Sequence, residues 1–436
     1  MEPPSDATPS PGQGEPHEER PPAAWTPPDA GRPDFAPHEP LASWPAAHTY
    51  PAQPSPEGPP PSAQGPGYLL PGQSAPGHAA PGVIPPGSAP YGQMEYGQRA
   101  PGYTIPGTVG GPAQPWATGA PPGTPFHQLD RTARHHWWRP LLGTVVLLLE
   151  VLAAGIAVFT IWIVVHWAVT GELVEPTEKH LVGGPLEDLA LQLVLLGVLI
   201  PLAPLTALVF SRRPAWSVAS VLNRLRWRWL GVCALAALAY VALSLVCSAI
   251  VTAAFTDEPL VSDWVGWGRF WGPALVILLL VPFQSTAEEL LFRGWLLQAV
   301  GGCTLRRHDG TYRNAFTGAL GRVLGTPWPA IAISSALFVA GHGYRGWAML
   351  DIFIWALACG WLAVRTGGLE ASIALHVLNN LMAFGLTAAA GELEESLQQG
   401  AAPWYYLLAD LPPLAVFVAL VLWLGGRRRV ETVTPG

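Results

Sequence analysis

Charge is scarce in this chain. Only 12% of its 436 residues are Asp, Glu, Lys or Arg, about half the share of a soluble globular domain. Lysine is nearly absent, with Lys179 the one example, so arginine carries the positive charge. That bias fits a high-GC bacterial genome and says nothing of fold. The formal net charge is −7, and no basic block able to neutralise a run of phosphates is present, so no nucleic-acid partner is expected. Cysteine is equally rare. Cys233, Cys247, Cys303 and Cys359 show no CxxC spacing, which argues against a disulfide framework or a cysteine zinc site. The opening MEPPSDATPS has neither the basic nor the apolar stretch of a cleavable signal peptide.

What the chain does have is divided in two. About two thirds of its 48 prolines precede residue 126, and nearly all the long apolar runs follow residue 140. Residues 1–130 repeat PG, APG and PPG. Proline removes backbone donors, and the apolar content is too low to offset the entropy of ordering. A disordered Pro/Gly-rich arm with polyproline II character is predicted over 1–130, either a solvated tail or a docking arm for a protein partner. Residues 131–430 are predicted to form an all-α, polytopic membrane helix bundle.

Eight candidate spans cover roughly 141–167, 186–210, 229–254, 271–297, 328–343, 347–364, 369–390 and 405–424. Most reach the ~20 residues that cross the hydrocarbon. Arginines crowd alternate loops: Arg212, Arg213, Arg224, Arg226 and Arg228 after the second span, Arg306, Arg307, Arg313 and Arg322 after the fourth, and Arg427, Arg428 and Arg429 after the eighth. The intervening loops GELVEPTEKH, TDEPLVSD and GELEES are acidic, with Arg269 and Arg345 as minor exceptions. The expected protein is a multi-pass cell-membrane protein with both termini cytoplasmic.

The charged residues inside the spans then need a reason, because each is costly in lipid and marks function by default. The fourth span carries TAEELLFRG, residues 286–294. On a helix Glu289 and Arg293 are i, i+4 and can pair. Glu288 points about 100° from Glu289 and about 140° from Arg293. A structural ion pair beside an unpaired carboxylate is expected, and a desolvated carboxylate can act as a general base. A purely structural ion cluster is the plain alternative. Near the end of the fifth span, Phe338 and His342 are i, i+4. In the seventh, His376 and Asn380 share a face, with Asn379 beside it, and such a pair also serves as helix–helix glue. Glu150 and Asp351 are read as structural.

In this order on successive membrane helices, EExxxR, FxxxH and HxxxN resemble the CPBP family of CAAX proteases and bacteriocin-processing enzymes. The matching residues are Glu288, Glu289 and Arg293, then Phe338 and His342, then His376 and Asn380, within a core of about 270–385. The resemblance implies an intramembrane endopeptidase acting on a membrane-associated protein or peptide. It implies Glu288 as the base that activates water, His342 as its positioner, and His376 and Asn380 as stabilisers of the oxyanion. Glu289 and Arg293 would support them. The family is often described as metalloproteases. A Zn2+ ion would draw on Glu288, His342 and His376, yet catalytic zinc takes three protein ligands, and Glu288 cannot be both ligand and base, so the residue count argues mildly against obligatory zinc. No HExxH motif is present. Two further classes stand beside the enzyme: a non-catalytic scaffold or immunity protein, and a transporter with an intramembrane ion path.

Straight helices would not bring these residues to one depth. His376 lies about 10 Å into its span and His342 about 21 Å into the other, at 1.5 Å per residue. A displaced fifth span and a cytoplasm-facing cavity are expected.

Overall fold

The computed structural model describes residues 115–436 apart from 175, 178–179, 260–262, 307–309 and 397–398. The expected disordered arm lies outside the described residues as far as 114. Its last part, 115–130, is a correction to the expected boundary. These residues are folded onto the helical domain, with a 3-10 turn at Phe126–Gln128 and with Phe126 and Leu129 buried. The reason is local: after a proline-rich start, FHQLD offers two apolar anchors three residues apart. Gly301 and Gly302 allow the close approach, because a Cβ on Gly301 would collide with the His127 carbonyl oxygen. His127, buried with them, has its pKa lowered by burial from 6.5 to about 4.

Among the described residues the domain is helical apart from the two-residue strand Ala401–Ala402 and isolated bridges. Its long members are α1 (Trp138–Thr170), α2 (Pro185–Gly197) running on into α3 (Leu202–Val209), α4 (Trp227–Phe255), and α5 (Trp267–Glu289). A π-helical stretch, Leu290–Leu296, joins α5 to α6 (Leu297–Gly302). Then come α7 (Ala315–Leu324), α8 (Trp328–Ala340), α9 (Gly346–Thr366), α10 (Glu370–Ala390), the one-turn α11 (Leu393–Ser396) and α12 (Tyr406–Arg428). Local chemistry explains several ends. Pro185 opens α2 with Glu187 and Asp188 in the first turn, where proline loses no bond and acids meet the positive end of the helix dipole. Asn314 and Thr317 form a capping box on α7, which satisfies two orphan N–H groups. Gly367, at φ 68°, ends α9 in the left-handed conformation that favours glycine.

Among the described residues, seven helices are long and apolar enough to cross a membrane, and the pair α7 and α8 makes an eighth if counted together. That pair is bent by 62°. The expected fifth span, 328–343, is the second member of that pair, the unbroken α8, and the bend before it makes the pair a broken span or a re-entrant loop. Thr434 N–H donates to Thr124 O at 3.0 Å and Gly123 N–H to Thr434 O at 3.0 Å, so the two ends of the helical domain lie on the same side of the bilayer.

Three contacts fix the helices that carry the polar residues. Leu369 N–H donates to Ala219 O and Val221 N–H to Gly367 O, both at 2.9 Å, so the start of α10 pairs like a strand with the loop before α4. Arg226 reaches buried Glu370 at 2.6 and 2.9 Å, a forked contact that clamps α10 to the start of α4. The turn between α8 and α9 is held by Arg345 N–H donating to Gly400 O at 3.1 Å. Tyr240, Phe417 and Leu375 belong to the core shared by α4, α9, α10 and α12.

Candidate active site

Helices α5, α8 and α10 bring the expected residues together around one aromatic ring. Phe338 of α8 lies 4.5 Å from the His342 ring and 6.0 Å from the His376 ring, centroid to centroid. The Arg293 guanidinium sits 4.0 Å from the same ring centroid, a cation–π contact strengthened by the lack of water. Trp355 of α9 meets His376 edge-on at 5.1 Å. Phe338, Glu289 and Arg293 are at most 1% exposed, and Glu288 and His376 are 7% and 4% exposed.

The two adjacent carboxylates have different partners. Glu289 Oε1 accepts from Arg293 Nη1 at 2.9 Å and stands 2.9 Å from His376 Nδ1. The i, i+4 pair of the sequence analysis thus holds, although Arg293 lies in the π-helical stretch. Such local widening is frequent at functional positions, and Gly294, where a Cβ would lie 2.8 Å from Val218 O, lets that stretch press against the 3-10 turn at Ala215–Val218. Glu288 Oε2 carries no hydrogen bond among the described residues. Its nearest cationic neighbour is His376 Nε2 at 3.4 Å.

His342 is oriented by its own helix end. Nδ1 donates to Phe338 O at 2.8 Å, which leaves Nε2 as a lone-pair acceptor. Tyr344 stacks on its ring at 5.9 Å.

Asn380 lies one turn beyond His376 on α10. Its Nδ2 donates to Gln284 Oε1 at 3.2 Å and reaches Ser285 Oγ at 3.4 Å. Asn379 Nδ2 approaches Asn380 Oδ1 at 3.5 Å, and Asn379 Oδ1 accepts from Tyr240 O–H at 3.0 Å. Sequence reasoning missed Gln284, Tyr240 and Trp355. Gln284 had a usable signal, since it precedes Glu288 by four residues and shares its face. The other two had none, because their partners are set only by helix packing.

The other membrane acids are partnered elsewhere. Glu150 Oε2 accepts from Thr206 Oγ1 at 3.2 Å, and Asp351 shares a hydrogen bond with Asp410. A cavity of about 800 Å³ is lined by Trp216, Arg224 and the stretch from Leu225 to Arg228.

The same geometry tests the fit of a metal. Among the described residues, no three His, Cys, Asp or Glu side chains converge to hold an ion. His376 directs one ring nitrogen at each of two carboxylates, and His342 has one nitrogen committed to Phe338 O. The arrangement does not fit a zinc ion with three protein ligands and an open position.

The Bacillus subtilis (strain 168) "Uncharacterized protein YyaK" is 26% identical over 204 residues, 47% of this chain and 62% of that protein. The chain thus spans less than two thirds of the length of that relative. No solved structure matches at a significant level. The stretch that holds every motif named above is the one that a family model covers: residues 270–382 match the Rce1-like family, described as Type II CAAX prenyl endopeptidase Rce1-like.

Proposed function

We propose that this chain is an intramembrane endopeptidase that hydrolyses a peptide bond of a membrane-associated protein or peptide with a water activated by Glu288. The observation that carries the reading is the division of labour between neighbours. Glu289 is tied through Oε1 to the Arg293 cation and to His376, whereas Glu288, among the described residues, has no arginine partner and meets only His376 Nε2, at 3.4 Å from its Oε2; Oε2 of each carboxylate is without a hydrogen bond. A desolvated carboxylate with an open lone pair is what a general base requires. His342, with Nε2 free to accept, holds the water in place. Glu288 takes a proton from that water, and the oxygen attacks the peptide carbonyl carbon. His376 and the Asn380 carboxamide line the side on which the oxyanion develops. Glu288 then returns its proton to the leaving amine as the C–N bond breaks. The match to an Rce1-like family over residues 270–382 supports this chemistry.

The ends of the helical domain are taken as cytoplasmic, because the arginine-rich loops lie on their side in an eight-span count. The Pro/Gly-rich arm is a candidate contact for a protein partner. The decisive experiment compares protein termini by mass spectrometry in cells making wild type or Glu288→Gln. New termini present only with wild type identify the substrate and the depth of the cut. Equal terminomes, with both proteins well expressed, reject the reading. Because no three-ligand metal set is formed, treatment of the purified protein with 1,10-phenanthroline is expected to leave cleavage of that substrate unchanged. Loss restored by Zn2+ would overturn this.

A further inference from the structure

The cavity at the head of α4 has no part in the hydrolysis. It encloses about 800 Å³, the size of a small-molecule pocket. Two segments wall it: Trp216 of the 3-10 turn, and the stretch from Arg224 to Arg228 that leads into α4. Among the described residues no Asp or Glu lines it. It lies at a bilayer surface, because Trp227 is the first residue of a membrane-spanning helix.

Its three arginines are not alike. Arg226 is committed. Nε and Nη2 donate to Glu370, Nη2 also to Thr366 O, and Nη1 to Glu431 O. Buried Glu370 balances its charge, so Arg226 serves as wall. Arg224 and Arg228 are exposed. Among the described residues neither guanidinium has a carboxylate or hydrogen-bond partner; Arg224 is engaged through its carbonyl, which accepts from Ser220 Oγ. Two open guanidinium forks at one cavity suit a phosphate, which they can grip with paired N–H groups. The surroundings add to the positive field. α12 ends in Arg427, Arg428 and Arg429, and its Gly425 packs against the Trp229 ring of α4. An anion is favoured here before any contact is made.

The aromatic walls say which anion. Trp216 is 43% and Trp227 72% exposed, and Leu225 adds apolar surface between them. A free phosphate ion gains nothing from indole and leucine. A lipid gains from both, since tryptophan at the membrane surface sits at headgroup level. We propose that this cavity binds the headgroup of an anionic phospholipid, with Arg224 and Arg228 holding the phosphate and with Trp216 and Trp227 against the glycerol. Basic pockets beside membrane helices recognise lipid in this way. The bound headgroup would border the Arg226–Glu370 clamp that fixes the start of α10.

The test uses the full chain purified in detergent with equal amounts of dioleoyl phosphatidylglycerol and dioleoyl phosphatidylcholine. Retained lipid is counted by native mass spectrometry. Wild type is expected to keep phosphatidylglycerol in preference to phosphatidylcholine. Arg224→Gln/Arg228→Gln should lower that affinity by about thirtyfold, and Arg228→Gln alone by about fivefold, at the usual worth of an arginine near an anionic surface. Arg306→Gln/Arg313→Gln removes the same charge from the loop between α6 and α7 and should leave retention unchanged. A ligand bound to the folded state also raises the thermal midpoint, so phosphatidylglycerol should raise it in wild type and not in the Arg224/Arg228 double variant. Equal retention of the two lipids by wild type overturns the proposal. So does a double variant that retains phosphatidylglycerol as wild type does, or an equal loss in Arg306→Gln/Arg313→Gln, which would make the effect one of net charge. Displacement of the lipid by excess inorganic phosphate also overturns it and assigns the cavity to a soluble anion. Retention is read without substrate, so its outcome is independent of the hydrolysis.

Discussion

Helices α1 and α5 cross the same solvent with opposite surfaces. In the most apolar stretch of α1 only 11% of the residues are buried, against 50% for the span that contains α5 and α6. Leu148, Leu149, Leu152, Ile156 and Ile161 of α1 are all at least 60% exposed, whereas Gln284, Ser285, Glu288, Glu289 and Arg293 are buried. In water this would be an inverted protein. In lipid it is the stable order, since hydrocarbon is as apolar as leucine and gives no reason to hide it. Polar groups are what must be enclosed, and they find their partners only inside. Apolarity therefore marks the outside of this molecule and polarity its centre.

That contrast can be tested by altering each helix in turn. The largest effect belongs to Glu288 on α5. Glu288→Gln keeps the shape and removes the proposed base, so substrate cleavage should fall by about 10²–10⁴ while the thermal midpoint in detergent is retained. Next is Arg293, buried between Glu289 and two aromatic rings. Arg293→Met leaves a buried carboxylate without its cation and should destabilise by about 3–5 kcal/mol, read as a lowered midpoint. The double change Glu289→Gln/Arg293→Met should recover much of that stability and none of the activity, because His376 would lose its charged acceptor.

A smaller effect lies outside the spans, at His127. Its folded pKa of about 4 is below the ordinary 6.5, so below pH 6.5 the unfolded chain gains a proton that the folded chain refuses. Stability should fall as the pH drops from about 6.5 to about 4, by at most about 3.4 kcal/mol at about 1.36 per unit. Subtracting the same titration of a His127→Leu variant isolates it, and parallel curves would refute it. The smallest effect is expected on α1, where Ile156→Ala should shift stability by less than about 0.5 kcal/mol. A large loss there would mean that α1 has a protein partner on its exposed side.

The membrane spans were legible because each needs a long apolar run. The expected 229–254 became Trp227–Phe255, and 369–390 became Glu370–Ala390. The site motifs were legible because charges in such runs stand out. The rest depended on tertiary structure. Nothing local in LLFRGWL announces a π-helical stretch, which arises where Glu289 and Arg293 meet α8 and α10. Tyr240 looks like any aromatic residue of an apolar helix until Asn379 is placed against it. Residues 115–130 share the composition of the arm before them, and contacts far along the chain set them apart: buried Phe126 and Leu129, and the bonds of Gly123 and Thr124 to Thr434.

The pairing of Thr124 with Thr434 has a consequence for how the chain could be rewired. Hydrogen bonds already close the helical domain into a ring. A short linker could join its two ends, and the ring could be reopened in the acidic loop between α4 and α5. Such a circular permutant should insert and fold with the same set of helices, although α5 would become its first membrane segment and would meet the insertion machinery before α1.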